Sequence, residues 1–75
     1  MSLQILANVA LGYTQTMDNL AISATENPDI VKDPGKLAAF QTQMFYAESG
    51  YELTSKTIQD IHKEDQTLSD MLRDA

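Results

Sequence analysis

The chain has 75 residues, no cysteine, one histidine and a formal net charge of -6 at pH 7. That length allows one small domain whose own core is marginal, and the composition excludes disulfides and multi-histidine metal sites as sources of stability. The acidic charge disfavours nucleic acid and anionic membrane surfaces as partners, so we expect stability to come from association with other protein chains.

The N-terminal segment carries no charged side chain from residue 1 to residue 17. A secretory signal peptide would need a basic start and an unbroken apolar run, whereas Gln4 and Asn8 interrupt the run from Leu3 to Leu11. The run is also too short to cross a bilayer. We therefore expect no membrane insertion, and either a cytosolic protein or one exported by a route other than Sec.

Apolar residues of the first segment recur at alternating three- and four-residue steps, which is the spacing of one helix face. The pattern predicts a first helix over about residues 2–24. Its apolar stripe comprises Leu3, Leu6, Ala10, Tyr13, Met17, Leu20 and Ala24.

Two prolines mark the connection to the next helix. Pro28 cannot donate a backbone hydrogen bond and restricts the residue before it, so a loop containing Pro28 and Asp29 is predicted over about residues 25–33. Asp33 followed by Pro34 matches an N-cap followed by proline at the first helical position. We therefore predict that the second helix begins at Pro34 and extends to about residue 73.

The same stepping continues through the second helix. Its stripe comprises Leu37, Phe40, Met44, Ala47, Tyr51, Thr54, Ile58, Ile61, Asp65, Leu68 and Leu72. A sustained period of about 3.5 residues indicates long, nearly antiparallel helices with coiled-coil packing. The predicted fold is all-α: residues 1–75 form one two-helix hairpin with a Pro/Asp loop and a longer second helix, and the hairpin packs in a helical homopolymer.

The two helices differ in length, since the first should extend about 30 to 35 Å and the second roughly 55 to 60 Å. The distal residues Ile58, Ile61, Leu68 and Leu72 therefore lack cover from the first helix. Further apolar residues lie off the main stripes, among them Ile5, Val9, Leu11 and Ile22 on the first helix and Phe45, Tyr46, Leu53 and Met71 on the second. Exposed apolar surface on this scale indicates an interface.

No constellation for catalysis is recognisable. His62 and Asp65 share a helix face, but one histidine supplies too few ligands for a metal, and no phosphate loop or nucleophile motif is present. We predict a protein without enzymatic activity, cofactor, metal or catalytic residue. Gly50 costs the helix about 1 kcal/mol relative to alanine; it allows a close helix approach, allows a bend, or is simply tolerated.

The stretch from Asn27 to Gln41, NPDIVKDPGKLAAFQ, resembles the needle and inner-rod subunits of bacterial type III secretion systems. In that family a loop with an Asp-Pro step joins two helices, and a Leu-Ala-Ala-aromatic-Gln segment opens the second helix. The similarity continues loosely through Thr57 to Ile61 and covers about half of the chain.

The resemblance implies a hairpin that polymerises into a hollow filament, needle or inner rod, whose second helix lines a conduit for exported proteins. It also implies export chaperones and other secretion-apparatus proteins as partners, and assembly on the bacterial envelope, secreted or at the cell surface. The loop residues Pro28, Asp29, Asp33 and Pro34 would lie where subunits stack. The predicted polymer interface comprises Leu3, Leu6, Tyr13, Met17, Leu20, Phe45, Tyr46, Leu53, Ile58, Ile61, Leu68 and Leu72.

Two other classes of protein fit parts of the pattern. A secretion chaperone or coiled-coil adaptor would bind one helical partner rather than itself. A small secreted hairpin of the type VII secretion class would share the two helices, although the Trp-x-Gly turn of that class is missing here. Filament formation separates the first interpretation from both.

Overall fold

The computed structural model describes residues 3–74, which are almost entirely helical. Helix α1 spans Leu3–Glu26, a single turn α2 spans Asp29–Lys32, and helix α3 spans Pro34–Asp74. No strand occurs between residues 3 and 74. The prediction of an all-helical chain with two long helices, the second longer than the first, is confirmed. The predicted start of the first helix at residue 2 lies outside the described residues.

The start of α3 is fixed by the predicted cap. Asp33 has extended backbone angles, φ -95° and ψ 116°, and its Oδ1 accepts hydrogen bonds from the backbone N–H groups of Gly35 at 2.9 Å and Lys36 at 3.1 Å. These two N–H groups have no partner inside the helix, and Pro34 at the first helical position has no N–H to satisfy. The predicted role of Asp33 as N-cap is confirmed.

The predicted loop over residues 25–33 was wrong in most of its length. Residues 25 and 26 continue α1, and Asp29 to Lys32 form α2. Pro28 has helical angles, φ -57° and ψ -21°, because the fixed φ of proline suits a first turn. The carbonyls of Asn27 and Pro28 accept the N–H groups of Ile30 and Val31 at 3.0 and 3.1 Å. Pro28 thus ends one helix and begins the next turn.

The predicted stripes of α1 and α3 contain most of the buried surface of the chain, and the two helices contact each other. Leu6, Ala47 and Thr54 are buried, at 7%, 3% and 8% exposure. Five stripe residues are exposed instead: Leu3, Tyr51, Asp65, Leu68 and Leu72. The other covered stripe members are half-buried: Ala10, Tyr13, Met17, Leu20, Ala24, Leu37, Phe40, Met44, Ile58 and Ile61.

The Tyr13 ring of α1 packs directly against the backbone of Gly50 in α3. A Cβ atom at position 50 would lie 2.8 Å from Tyr13 Cε2 and nearer still to Cζ and Cε1, whereas a Cβ at Gly12 would meet nothing within 4 Å. Of the explanations for Gly50, close approach is therefore the one observed. Later along α1, Leu20 shares a groove with Gln43 and Ala47 of α3, so the contacts run in opposite order along the two helices.

The buried polar residue of this contact is satisfied within its own helix. Thr54 Oγ1 donates a 2.7 Å hydrogen bond to the carbonyl of Gly50, one turn earlier. Its methyl group is then free to pack, and no buried hydroxyl lacks a partner in the described part of the chain. Ala47, Gly50 and Thr54 together form a face of small side chains that the larger side chains of α1 approach.

The molecule is elongated, with principal extents of 63 × 17 × 16 Å. The long dimension matches α3 alone, which at about 1.5 Å per residue is about 62 Å long. The radius of gyration is 18.2 Å, against about 11 Å for a compact domain of this length. The accessible surface is 5859 Å², against roughly 4,600 Å² for a compact monomer of this mass. No side chain between residues 3 and 74 is fully buried.

Replacing Gly50 tests the close approach. Gly50→Ala should lower the unfolding free energy by about 1 kcal/mol, because the added methyl displaces the Tyr13 ring and overpacking outweighs the gain in helix propensity. Gly12→Ala is the matched control and should stabilise by about 0.5 to 1 kcal/mol, since its Cβ meets open space. Urea unfolding of dilute protein, followed by circular dichroism, measures both. Equal stabilisation by the two substitutions, or a Gly50→Ala loss that persists in a Tyr13→Ala background, would contradict the contact.

The cap of α3 gives a second test. Asp33→Ala should lower the unfolding free energy by about 0.5 to 2 kcal/mol, because the two hydrogen bonds to its side chain are lost. Asp33→Asn should lower it far less, because the amide oxygen still accepts these hydrogen bonds. The same unfolding measurement applies. An alanine variant as stable as the asparagine variant would show that Pro34 alone starts the helix.

Candidate protein-interaction surface

The predicted interface residues fall into three groups by exposure. Leu6 is buried under α3 and offers almost no surface to a partner. Tyr13, Met17, Leu20, Ile58 and Ile61 are half-buried between the helices. The others are exposed: Leu3, Phe45, Tyr46, Leu53, Leu68 and Leu72. The surface that remains available therefore lies mainly on α3, and the interface itself stays a prediction.

The first exposed region is the end of α3. Every residue from 62 to 74 is exposed. Tyr13 lies over Gly50, and the part of α1 that precedes Tyr13 reaches only to about the level of residue 60 of α3. Leu68 and Leu72 continue the inner stripe of α3 past this point and are 57% and 77% exposed. We call Leu68 and Leu72, with half-buried Ile61, the tail stripe.

The second exposed region borders a groove between the long helices. Thr16 on α1 and Tyr46 on α3 line this groove together with Tyr13, Leu20, Gln43 and Ala47. Residues seven or eleven positions apart share one line along a helix, so Ile5 and Val9 lie in line with Thr16, and Leu53 lies in line with Tyr46. We call this surface the apolar flank; it comprises Ile5, Val9, Gly12 and Thr16 of α1 and Tyr46 and Leu53 of α3.

All four large side chains of the apolar flank are exposed. Leu53 and Tyr46 are 69% and 68% exposed, and Ile5 and Val9 follow at 55% and 42%. No member of the flank is charged, and α1 has no charged residue before Asp18. The flank is thus an uncharged apolar surface on a chain whose net charge is -6.

The other side of the molecule is polar. Glu48 follows Tyr46 by two positions, which places it about 200° round the helix from Tyr46. Glu52 lies one turn after Glu48 on the same side. His62 is exposed farther along α3 and shares a shallow polar surface with Asp65, Gln66, Ser69, Asp70 and Arg73. Arg73 and Asp70 form an exposed ion pair at 3.2 Å, which contributes little to stability.

Phe45 stands apart from both apolar regions. It precedes Tyr46 on the outward side of α3, is 65% exposed and contacts the Tyr46 ring at a centroid distance of 6.3 Å and an angle of 58°. Tilted ring pairs at this distance attract each other weakly. The contact holds Phe45 beside the apolar flank.

Groups suited to other chemistry are not assembled in the described residues. No three His, Asp or Glu side chains between residues 3 and 74 converge where they could hold a metal ion. Neither long helix has an apolar stretch of the length needed to cross a membrane.

The sequence pattern does not identify the flank as a unit. Ile5 and Val9 are apolar residues off the main stripe and are not among the predicted interface residues. Two signals identify them: their i, i+4 spacing on one line of α1, and the absence of charge before Asp18. What the sequence does not show is that this line lies beside the α3 line of Tyr46 and Leu53, because that depends on the register of α1 against α3.

Comparison with known proteins gives no relative: no family model matches the chain, and no curated protein or solved structure is significantly similar to it.

The contrast between covered and uncovered leucines is measurable. Leu6→Ala should lower the unfolding free energy of the dilute chain by about 2 kcal/mol, since it removes a buried side chain. Leu72→Ser should change it by less than about 0.5 kcal/mol, since the side chain touches little in the isolated chain. Chemical unfolding at several protein concentrations measures both effects. A large loss for Leu72→Ser at the lowest concentration would mean that the tail stripe is covered within the chain.

Proposed function

We propose that the two long helices form a hairpin, and that this hairpin is a structural subunit that polymerises into the hollow needle or inner-rod filament of a bacterial type III secretion system. The filament would form the conduit for exported proteins. The observation that carries the proposal is the tail stripe: α3 extends past the reach of α1, and its apolar line continues through exposed Leu68 and Leu72.

A surface of this kind suits repeated contact between identical chains. If the tail stripe of one subunit packs on a different surface of the next, every subunit presents one donor and one acceptor surface. Contacts of this head-to-tail type generate open helical filaments when the rotation between subunits does not close a ring. The tail carries charges of both signs, from Lys63 to Asp74, which reduces its electrostatic repulsion from another copy of this acidic chain.

The connection between the helices supports the same proposal. The segment Asn27 to Gln41 carries the resemblance to needle and inner-rod subunits, and the Asp33 cap holds its Asp-Pro corner in a defined conformation. Pro28, Asp29, Asp33 and Pro34 are exposed in the isolated chain. They are therefore accessible to a stacked neighbour, the role that the resemblance implies.

The same apolar surfaces account for the proposed partners. Before assembly, an export chaperone would cover the tail stripe and prevent premature association. After export by a route other than Sec, the subunits would assemble on the bacterial envelope and contact other components of the secretion apparatus. In the filament α3 would line the channel, as the resemblance implies.

The proposal predicts a filament that depends on the tail stripe. Replacing Leu68 and Leu72 together by serine should raise the critical concentration for polymerisation at least about tenfold, because burial of each leucine contributes about 1.5 to 3 kcal/mol. Gln66→Ser is the matched control in the same exposed part of α3 and should polymerise normally. Sedimentation gives the critical concentration, and cryo-electron microscopy should show a central channel.

Three results would contradict the proposed function. One is a purified chain that forms no filament at any concentration but binds a single helical partner, which is the behaviour of a chaperone or adaptor. Another is a solid filament without a channel. A third is polymerisation of the double serine variant at the concentration of the unaltered chain.

A further inference from the structure

We propose that two copies of this chain also pair through their apolar flanks, in a two-fold contact that places four long helices side by side. This contact uses a different surface from the tail stripe, so it does not depend on the proposed filament. It assigns a partner to the exposed residues Ile5, Val9, Tyr46 and Leu53, which the tail contact leaves uncovered.

The distribution of charge makes the flank the surface through which a second copy can bind. Two chains of net charge -6 repel each other, and like charges placed face to face across an interface strongly oppose association. The flank is free of this penalty because none of its members is charged, while Asp18, Glu48 and Glu52 lie outside it. The nearest charges on α3 are Lys56, beside the flank, and Asp60, which continues the line of Leu53 seven positions later, and they have opposite signs. Self-association through this surface therefore brings the fewest like charges together.

The shape of the flank is complementary to itself. Its α1 line ends in the small residues Gly12 and Thr16, and the space above Gly12 is open, with no atom within 4 Å of a Cβ built there. Its α3 line carries the large exposed side chains of Tyr46 and Leu53. Each copy thus offers one row of projecting side chains and one row with a depression.

A two-fold axis parallel to the helices brings these rows together. Such an axis places α3 of each copy against α1 of the other, in opposite directions. Because the contacts of α1 and α3 run in opposite order and Tyr13 lies over Gly50, Leu53 lies at the level of Val9 to Gly12. The Leu53 side chain of one copy would then enter the open space above Gly12 of the other copy. The two-fold axis generates the same contact with the two copies exchanged.

The available area is sufficient for such a pair. The accessible surface of 5859 Å² exceeds that of a compact monomer of this mass by roughly 1,300 Å². A standard specific interface buries about 800 Å² on each partner. The excess is larger than the area that one such interface buries on each partner.

Two matched leucine variants test the pairing, with the dimer dissociation constant measured by analytical ultracentrifugation below the critical concentration for filaments. Leu53→Glu should weaken the dimer about 100-fold or more, because it sets a charge into each half of the contact. Leu11→Glu makes the same change at another exposed leucine, about 200° round α1 from Val9, and should leave the dimer intact. Circular dichroism should show unchanged helicity for both.

Two further experiments test the pairing: one combines opposite charges at Leu53, and the other fills the open space above Gly12. Leu53→Lys should also be monomeric alone, and an equimolar mixture with Leu53→Glu should restore a dimer of one copy of each. Gly12→Gln should weaken the dimer about tenfold while keeping or raising the helicity of the dilute monomer. A Leu53→Glu dimer of normal affinity, equal damage by Leu11→Glu, or a mixture that stays monomeric would each overturn the pairing. Filament formation by the Leu68 and Leu72 double variant decides the proposed function separately.

Discussion

The contact between the Tyr13 ring and the Gly50 backbone sets the register of α1 on α3, and the rest of the structure depends on that register. Only glycine leaves room for the ring at this position. With Tyr13 fixed there, α1 covers α3 only as far as about residue 60, and residues 62–74 are exposed. The same register sets Ile5 and Val9 along the groove that Tyr46 borders. Both candidate interaction surfaces are therefore consequences of one helix–helix contact.

The energetic consequence is a chain that cannot complete its own core. Leu6, Ala47 and Thr54 are the buried residues of the described chain, and two of the three have small side chains. Their burial stabilises the contact between the helices but removes little apolar area from water. The Asp33 cap and the hydrogen bond from Thr54 to the Gly50 carbonyl add local stability. In the proposed polymer, association with further chains would supply what a core of this size lacks.

The sequence predicted the helical content well because its signals are local. The apolar stripe of α1, the Asp33-Pro34 restart and the stripe of α3 each depend on residues within a few turns of one another. The predicted loop is longer than the observed one because proline at position 28 predicts the end of a helix, although its φ also suits the first turn of α2. The interface residues were harder to assign. Leu6 and Leu68 look alike in the pattern, and only the register of α1 distinguishes the covered leucine from the exposed one. The same register brings Val9 and Leu53 to one surface, and no local signal reports it.

The central claim is that the end of α3 lacks cover in the isolated chain and gains it from another copy. Hydrogen exchange of residues 62–74, measured in the dilute chain and again after assembly, tests this directly. The account predicts rapid exchange of these amides in the dilute chain, slower exchange where α1 covers α3, and strong protection of residues 62–74 in the assembled state. Equal protection along the whole of α3 in the dilute chain, or unprotected amides at its end in the assembly, would contradict it.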